Sequence, residues 1–119
     1  MQGKIMSRPP LSPFRIAGDL VFTSGQLARG GDGAIVAGGI EAQAERCLAN
    51  LVAVLADAGC TPADVVKVTA WLTDAGFGAA FNAAYARVFG EPFPARSTVV
   101  SALLAPGALI EVEAVALRR

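Results

Sequence analysis

The sequence predicts an α+β fold, a mixed β-sheet with two helices packed on one face. Three observations predict it. Apolar residues recur at helical spacing over two stretches, 40–58 and 77–89. Runs of β-branched and aromatic residues, bounded by glycine or proline, lie before, between and after those stretches. The order is therefore strand pair, helix, strand, helix, strand pair. Helices between strands imply crossovers while the flanking pairs read as hairpins, so the sheet mixes directions.

Residues 1–13, with Pro9, Pro10 and Pro13, read as an extended N-terminal lead-in, and residues 14–119 as one domain. Residues 19–24 (DLVFTS) form the first strand between Gly18 and Gly25. Gly30-Gly31-Asp32-Gly33 follows as a tight turn into a short strand at 34–36. That glycine cluster lacks both the Gly-Lys-Ser/Thr ending of a P-loop and the glycine spacing of a dinucleotide fold. The helix over 40–58 carries Ile40, Ala44, Cys47, Leu48, Leu51, Leu55 and Ala58 on one stripe, with Gly59 placed to cap it. Cys47 lies on that stripe and reads as a small core residue.

Thr61-Pro62-Ala63-Asp64 has a capping hydroxyl, a first-turn proline and an acid three residues on, so one short turn feeds a strand at 65–73. The second helix, 77–89, aligns Phe77, Phe81, Ala84, Tyr85 and Val88 and stops at Gly90. The last strands, 96–102 and 109–117, are joined across Ala105-Pro106-Gly107. In the final strand Ile110, Val112, Ala114 and Ala116 point one way, and Leu109, Glu111, Glu113, Val115 and Leu117 the other. Two helices cover one face, so the second set needs another subunit more than it needs water.

Composition narrows the chemistry. There is no histidine, which removes Ser-His-Asp and Cys-His catalysis, an imidazole base and every histidine-containing metal site. Ten acidic residues balance ten basic ones and no basic cluster occurs, which argues against a nucleic-acid partner. The longest charge-free stretch, 97–110, is short of the roughly 20 residues of a membrane span, and the opening MQGKIMSRPP has no leader-like apolar core. Two cysteines, Cys47 and Cys60, make no disulfide framework and fit a reduced cytoplasmic setting. With 54% hydrophobic residues and 24 alanines, the chain carries apolar surface in excess, which suits an oligomer.

Few residues are left to carry chemistry. Arg96 opens a strand after the rigid Pro92-Phe93-Pro94-Ala95 approach, and Glu111 and Glu113 share one strand face. On spacing alone the favoured reading is an ion pair between Arg96 and a glutamate of a neighbouring strand; the other is a guanidinium clamp for a ligand carboxylate. Paired carboxylates also serve glycosidases, but a single tryptophan offers little sugar platform.

Gly18-Asp19-Leu20-Val21-Phe22-Thr23-Ser24-Gly25-Gln26 closely resembles the opening signature of the Rid (YjgF-type) family. Gln43, Asn50-Leu51 and Leu55 match its first helix, and Val65-Val66-Lys67-Val68-Thr69 its middle strand. Asn82-Ala83-Ala84-Tyr85, Pro94-Ala95-Arg96-Ser97 and Ile110-Glu111-Val112-Glu113-Ala114 match its remaining blocks, in order, over residues 14–119. The resemblance implies a chorismate-mutase-like fold assembled as a homotrimeric barrel, with active sites between subunits and no cofactor. It implies hydrolysis of reactive enamines and imines, such as 2-aminoacrylate and other 2-imino acids, to 2-keto acids and ammonia.

By the same resemblance Arg96 clamps the substrate carboxylate and Glu111 positions or deprotonates water. Ser24, Gly25 and Asn82 line the pocket. Two positions depart from the family pattern. Phe14 stands where a tyrosine is usual, a lost hydroxyl contact on the order of 1 kcal/mol, and Thr98 stands where cysteine is frequent. Both keep their places in the expected pocket. An imine carbon is already electrophilic, so a held carboxylate, an oriented water and a proton acceptor suffice without histidine. A non-catalytic 2-keto acid binder on the same scaffold is the alternative; an endoribonuclease fits the neutral charge less well.

Overall fold

The computed structural model describes residues 9–119, so the lead-in expected at 1–13 lies largely outside the described residues. Among the described residues five strands form one sheet: β1 (Phe14–Ala17), β2 (Leu20–Thr23), β3 (Val65–Leu72), β4 (Ala95–Val100) and β5 (Ile110–Leu117). Two helices, α1 (Gly39–Asp57) and α2 (Gly78–Phe89), complete the α+β architecture. The strand order is β1-β2-β5-β3-β4. Only β3 and β4 run parallel, joined by the crossover through α2; every other pair is antiparallel.

Both expected hairpins are corrected. The partner of β2 is β1, through a two-residue loop at Gly18-Asp19 in which Gly18 takes a φ of 60°. The expected strand at 34–36 is reduced to an isolated bridge between Arg29 and Ile35. At the other end, β5 does not pair with β4. It inserts between β2 and β3, because its fully alternating apolar set belongs at the sheet centre, where α1 covers it. The helices appear where the periodicity places them, with Gly59 at a φ of 83° after α1 and a 3₁₀ turn over Ala75–Phe77 leading α2.

One face of the sheet carries the core. Val21, Val68, Ala70, Leu72, Ile110, Val112, Ala114 and Ala116 pack there against Ala44, Cys47, Leu48, Leu51 and Leu55 of α1 and Phe81 and Tyr85 of α2. No helix among the described residues covers the opposite face. Leu20, Phe22 and Val99 are exposed on it, beside Trp71, Glu111, Glu113, Val115 and Leu117. Gln43 is the buried polar residue of α1: its Nε2 donates to the Gly107 carbonyl at 3.0 Å and its Oε1 accepts from the Leu109 amide at 2.9 Å. It thereby satisfies the backbone that leads into β5.

Leu51→Ala, which empties a fully buried position, is expected to lower the unfolding free energy by about 2–5 kcal/mol in urea titration at fixed protein concentration. Gln43→Ala strands a carbonyl and an amide and is expected to cost about 2 kcal/mol in the same titration. An unfolding midpoint unmoved by Gln43→Ala would show that the 107–109 turn holds β5 in place without it.

Candidate functional site

Two clusters contain the residues singled out in the sequence, Phe14 excepted. The first forms where β2 leaves β5. Phe22 pairs with Val115, but the next contact is Gln26 with Val112, so three residues of one strand face two of the other. Such a bulge bends the chain and re-aims the residues after it. The Ala114 amide it leaves unmatched donates to the buried Thr23 Oγ1 at 3.0 Å. Ser24 and Gly25 are thereby laid beside β5, with the Ser24 amide on the Pro13 carbonyl at 2.9 Å and Ser24 Oγ on the Ser12 carbonyl at 2.5 Å.

Gly25 is required by close approach. A Cβ there would overlap the Glu111 carboxylate, so any side chain displaces that group. Glu111 is half-buried next to Trp71, its register partner, in a cleft of about 210 Å³ that Ser101 and Leu103 also line. Burial pushes its carboxyl above the usual carboxylate range, and the like charge of Glu113 adds to the rise. A carboxylate raised in this way is suited to exchanging protons. Phe14, half-buried opposite Thr23 on β1, packs against the edge of the core.

The second cluster centres on Arg96. Its register partner Val68 faces the helices, so Arg96 lies over α2. Its guanidinium carbon stands 4.7 Å from the Tyr85 ring centroid and 5.0 Å from that of Phe81, and Nη2 donates to Asn82 Oδ1 at 2.8 Å. No carboxylate pairs with it among the described residues, where the one ion pair joins Arg119 and Asp64 at 3.2 Å. A cleft of about 360 Å³ opens beside it, walled by Tyr85, Ala86, Phe93 and Pro94. Thr98 lies two residues along β4 on the same side, exposed.

The expected ion pair between Arg96 and a glutamate does not form, since β3 lies between their strands. Arg96 and Glu111 stand on opposite faces of the sheet. They are separated by two strand spacings of about 4.8 Å each and about three residues along the strands. One chain therefore assembles Arg96, Asn82 and Thr98 in one place and Ser24, Gly25 and Glu111 in another, while Phe14, paired with the core-facing Thr23, stays on the helix side of the sheet. Phe81, Tyr85, Phe93 and Trp71 are additions that the sequence pattern did not single out for the site. The signal for two of them was available, since Phe81, Asn82 and Tyr85 share one side of a helix at steps of three and four.

Cys47 is a core residue, as expected: its thiol donates to the Gln26 carbonyl at 3.0 Å, and burial, with the charge of Glu111 adding, pushes it up to about 12. Among the described residues no group of three histidine, cysteine or acidic side chains is arranged to hold a metal ion. No helix among them is long and apolar enough to cross a membrane.

The family model described as Endoribonuclease L-PSP matches residues 2–118. A RutC family protein of Pyrococcus abyssi is 40% identical over 111 residues, covering 90% of this chain and 87% of the relative. The 2-iminobutanoate/2-iminopropanoate deaminase of Salmonella typhimurium is 40% identical over 105 residues, covering 86% and 82%. The crystal structure of E. coli TdcF with bound serine superposes with a TM-score of 0.87 at 33% identity, covering 95% of this chain and 91% of that one. With fold, motif order and family model in agreement, this chain belongs to the Rid (YjgF-type) family.

Proposed function

We propose that this protein is a cofactor-independent deaminase that hydrolyses 2-imino acids and their enamine tautomers to 2-keto acids and ammonia, at a site completed between copies of the chain. The observation that carries this reading is the state of Arg96. A guanidinium pressed against Tyr85 and tied to Asn82, with no carboxylate partner among the described residues, is pre-shaped for the carboxylate of a ligand. The deaminase named among the relatives and the serine bound to E. coli TdcF support a small amino-acid-like ligand. A formal net charge of zero weighs against a phosphate chain as the alternative anion.

The proposed assembly is a homotrimer. Leu20, Phe22 and Val99 on the helix-free face support it, being apolar side chains that another copy would take out of water. In this arrangement Arg96, Asn82 and Thr98 of one copy meet Phe14, Ser24, Gly25 and Glu111 of the next. A reduced cytoplasmic setting suits the two buried free thiols, Cys47 and Cys60.

The chemistry then needs few parts. Arg96 holds the substrate carboxylate and fixes C2. Glu111 accepts a proton from water as the water oxygen bonds to C2 and the imine nitrogen takes up a proton from solvent, which is returned when the hydroxyl proton is lost. The same carboxyl returns its proton to that nitrogen, the C–N bond breaks, and ammonia leaves. Loss of the hydroxyl proton forms the keto group, so one water is consumed and one ammonia is released. An enamine enters after its β-carbon takes a proton and its nitrogen gives one up, which makes it the imine.

Imines generated in place by an amino-acid oxidase provide the test, with keto-acid formation followed in the presence and absence of the protein. Arg96→Ala and Glu111→Gln are each expected to lower the acceleration by roughly 10²–10⁴-fold. Saturable keto-acid binding that needs Arg96, with no acceleration of any imine, would replace the deaminase with a binding protein. Sedimentation is expected to give a trimer, and a monomer at micromolar concentration would overturn the shared site.

The raised carboxyl gives a signed pH prediction. Glu111 must be ionised to accept a proton, so activity falls as pH drops through its elevated value. Glu113→Gln removes the like charge that contributes to the rise, so the acidic limb of kcat/KM is expected to move to lower pH. A limb that stays in place or moves up would exclude Glu111 as the group responsible.

A further inference from the structure

The cleft beside Arg96 has a composition that the clamp alone does not explain. Apart from Arg96 and Asn82, which bond each other at 2.8 Å, its walls are Tyr85, Ala86, Phe93 and Pro94. Tyr85 is 5% exposed, and its hydroxyl is buried with no hydrogen-bond partner among the described residues, so it presents ring surface to the cleft rather than a polar handle. Phe93 is 48% exposed, held between Pro92 and Pro94, with its ring centroid 6.4 Å from that of Tyr85. A half-exposed phenylalanine on a rigid approach leaves apolar surface in water until something apolar covers it. A wall of this kind, within one side chain's reach of a carboxylate clamp, sorts carboxylates by what they carry.

We infer that the Tyr85–Phe93–Pro94 cleft is the side-chain subsite of this protein, and that it selects 2-imino and 2-keto acids with branched aliphatic or aromatic side chains over those with a methyl or a second carboxylate. The inference rests on the deaminase reading for the placement of the carboxylate on Arg96. A volume of about 360 Å³ accepts side chains well beyond a methyl group. Each methylene taken out of water strengthens binding several-fold, so three further carbons, incompletely covered, give on the order of tenfold. Among the described residues a second carboxylate meets no second cation in this cleft, since Arg96 is the one basic residue of them that lines it. Selection is thus both attractive and exclusive.

Calorimetry of the protein with pyruvate, 4-methyl-2-oxopentanoate, phenylpyruvate and 2-oxoglutarate reads the inference without turnover. The branched and aromatic acids are expected to bind about tenfold more tightly than pyruvate, with 2-oxoglutarate the weakest. Phe93→Ala is expected to shrink that ratio to about two- or threefold, and Phe93→Leu to keep most of it. The same imines, tested with the oxidase assay, should follow the same order in kcat/KM.

Several results would overturn the inference: no measurable binding of any keto acid, a ladder led by pyruvate or 2-oxoglutarate, or equal weakening of all four acids by Phe93→Ala. A flat ladder with acceleration intact refutes the subsite alone. An intact ladder without acceleration refutes the deaminase reading alone.

Discussion

The period-two alternation of β5 is the constraint on which the rest of the molecule depends. Hydrogen-bonded on both sides, to β2 and β3, this strand sends Ile110, Val112, Ala114 and Ala116 under the helices and leaves Glu111 and Glu113 on the other face. Full burial of a single valine or isoleucine side chain contributes about 1.5–3 kcal/mol, and a slip of one residue would exchange that set for two carboxylates without partners. The register is therefore strongly determined. Because it is, the position of Glu111 is settled by the packing of residues that touch no ligand. The bulge at residues 23–25 adds the remaining adjustment, bringing a glycine where any other residue would push the carboxylate aside.

Arg96 is placed by a different means. It stands on an edge strand whose six residues are all exposed, where sheet packing alone would leave a long side chain free to wander. Two aromatic rings and an amide of α2 hold it instead, and the parallel crossover that connects α2 to β4 brings those groups into reach. Its partners among the described residues are neutral, so its charge is not spent on them. The two chemically loaded groups thus belong to opposite faces of one sheet. That geometry is the physical reason why the proposed reaction is placed between copies rather than within one.

Much of the architecture was legible in the order of residues. The stripe from Ile40 to Leu55, the glycine after each helix and the alternation in β5 are local signals, each decided by side chains a few positions apart. Pairing was less legible. The sequence cues favoured a hairpin of the last two strands, whereas β4 aligns with β3 and β5 crosses back to the centre, because pairing is decided by what can be buried together. β1 was missed for a related reason: four residues after Pro13, with three of them exposed, carry no periodic pattern to read. The ion pair expected for Arg96 failed with the hairpin that would have formed it.

By itself the sequence determined the fold class, the helices, the inward set of β5 and the family, since these rest on local periodicity and on motifs that keep their spacing. It also excluded imidazole chemistry outright, because a residue type that is absent cannot be supplied by folding. Only the tertiary structure decided which residues share a neighbourhood. The close fit of Gly25 on Glu111 joins segments far apart in the chain, while the aromatic seat of Arg96 and the apolar wall at Phe93 join α2 to the loop and strand that follow it, and no local rule reports such distances. The separation of Arg96 from Glu111 by the sheet itself is of the same kind: strand order, a global outcome of burial, decides which face each side chain meets.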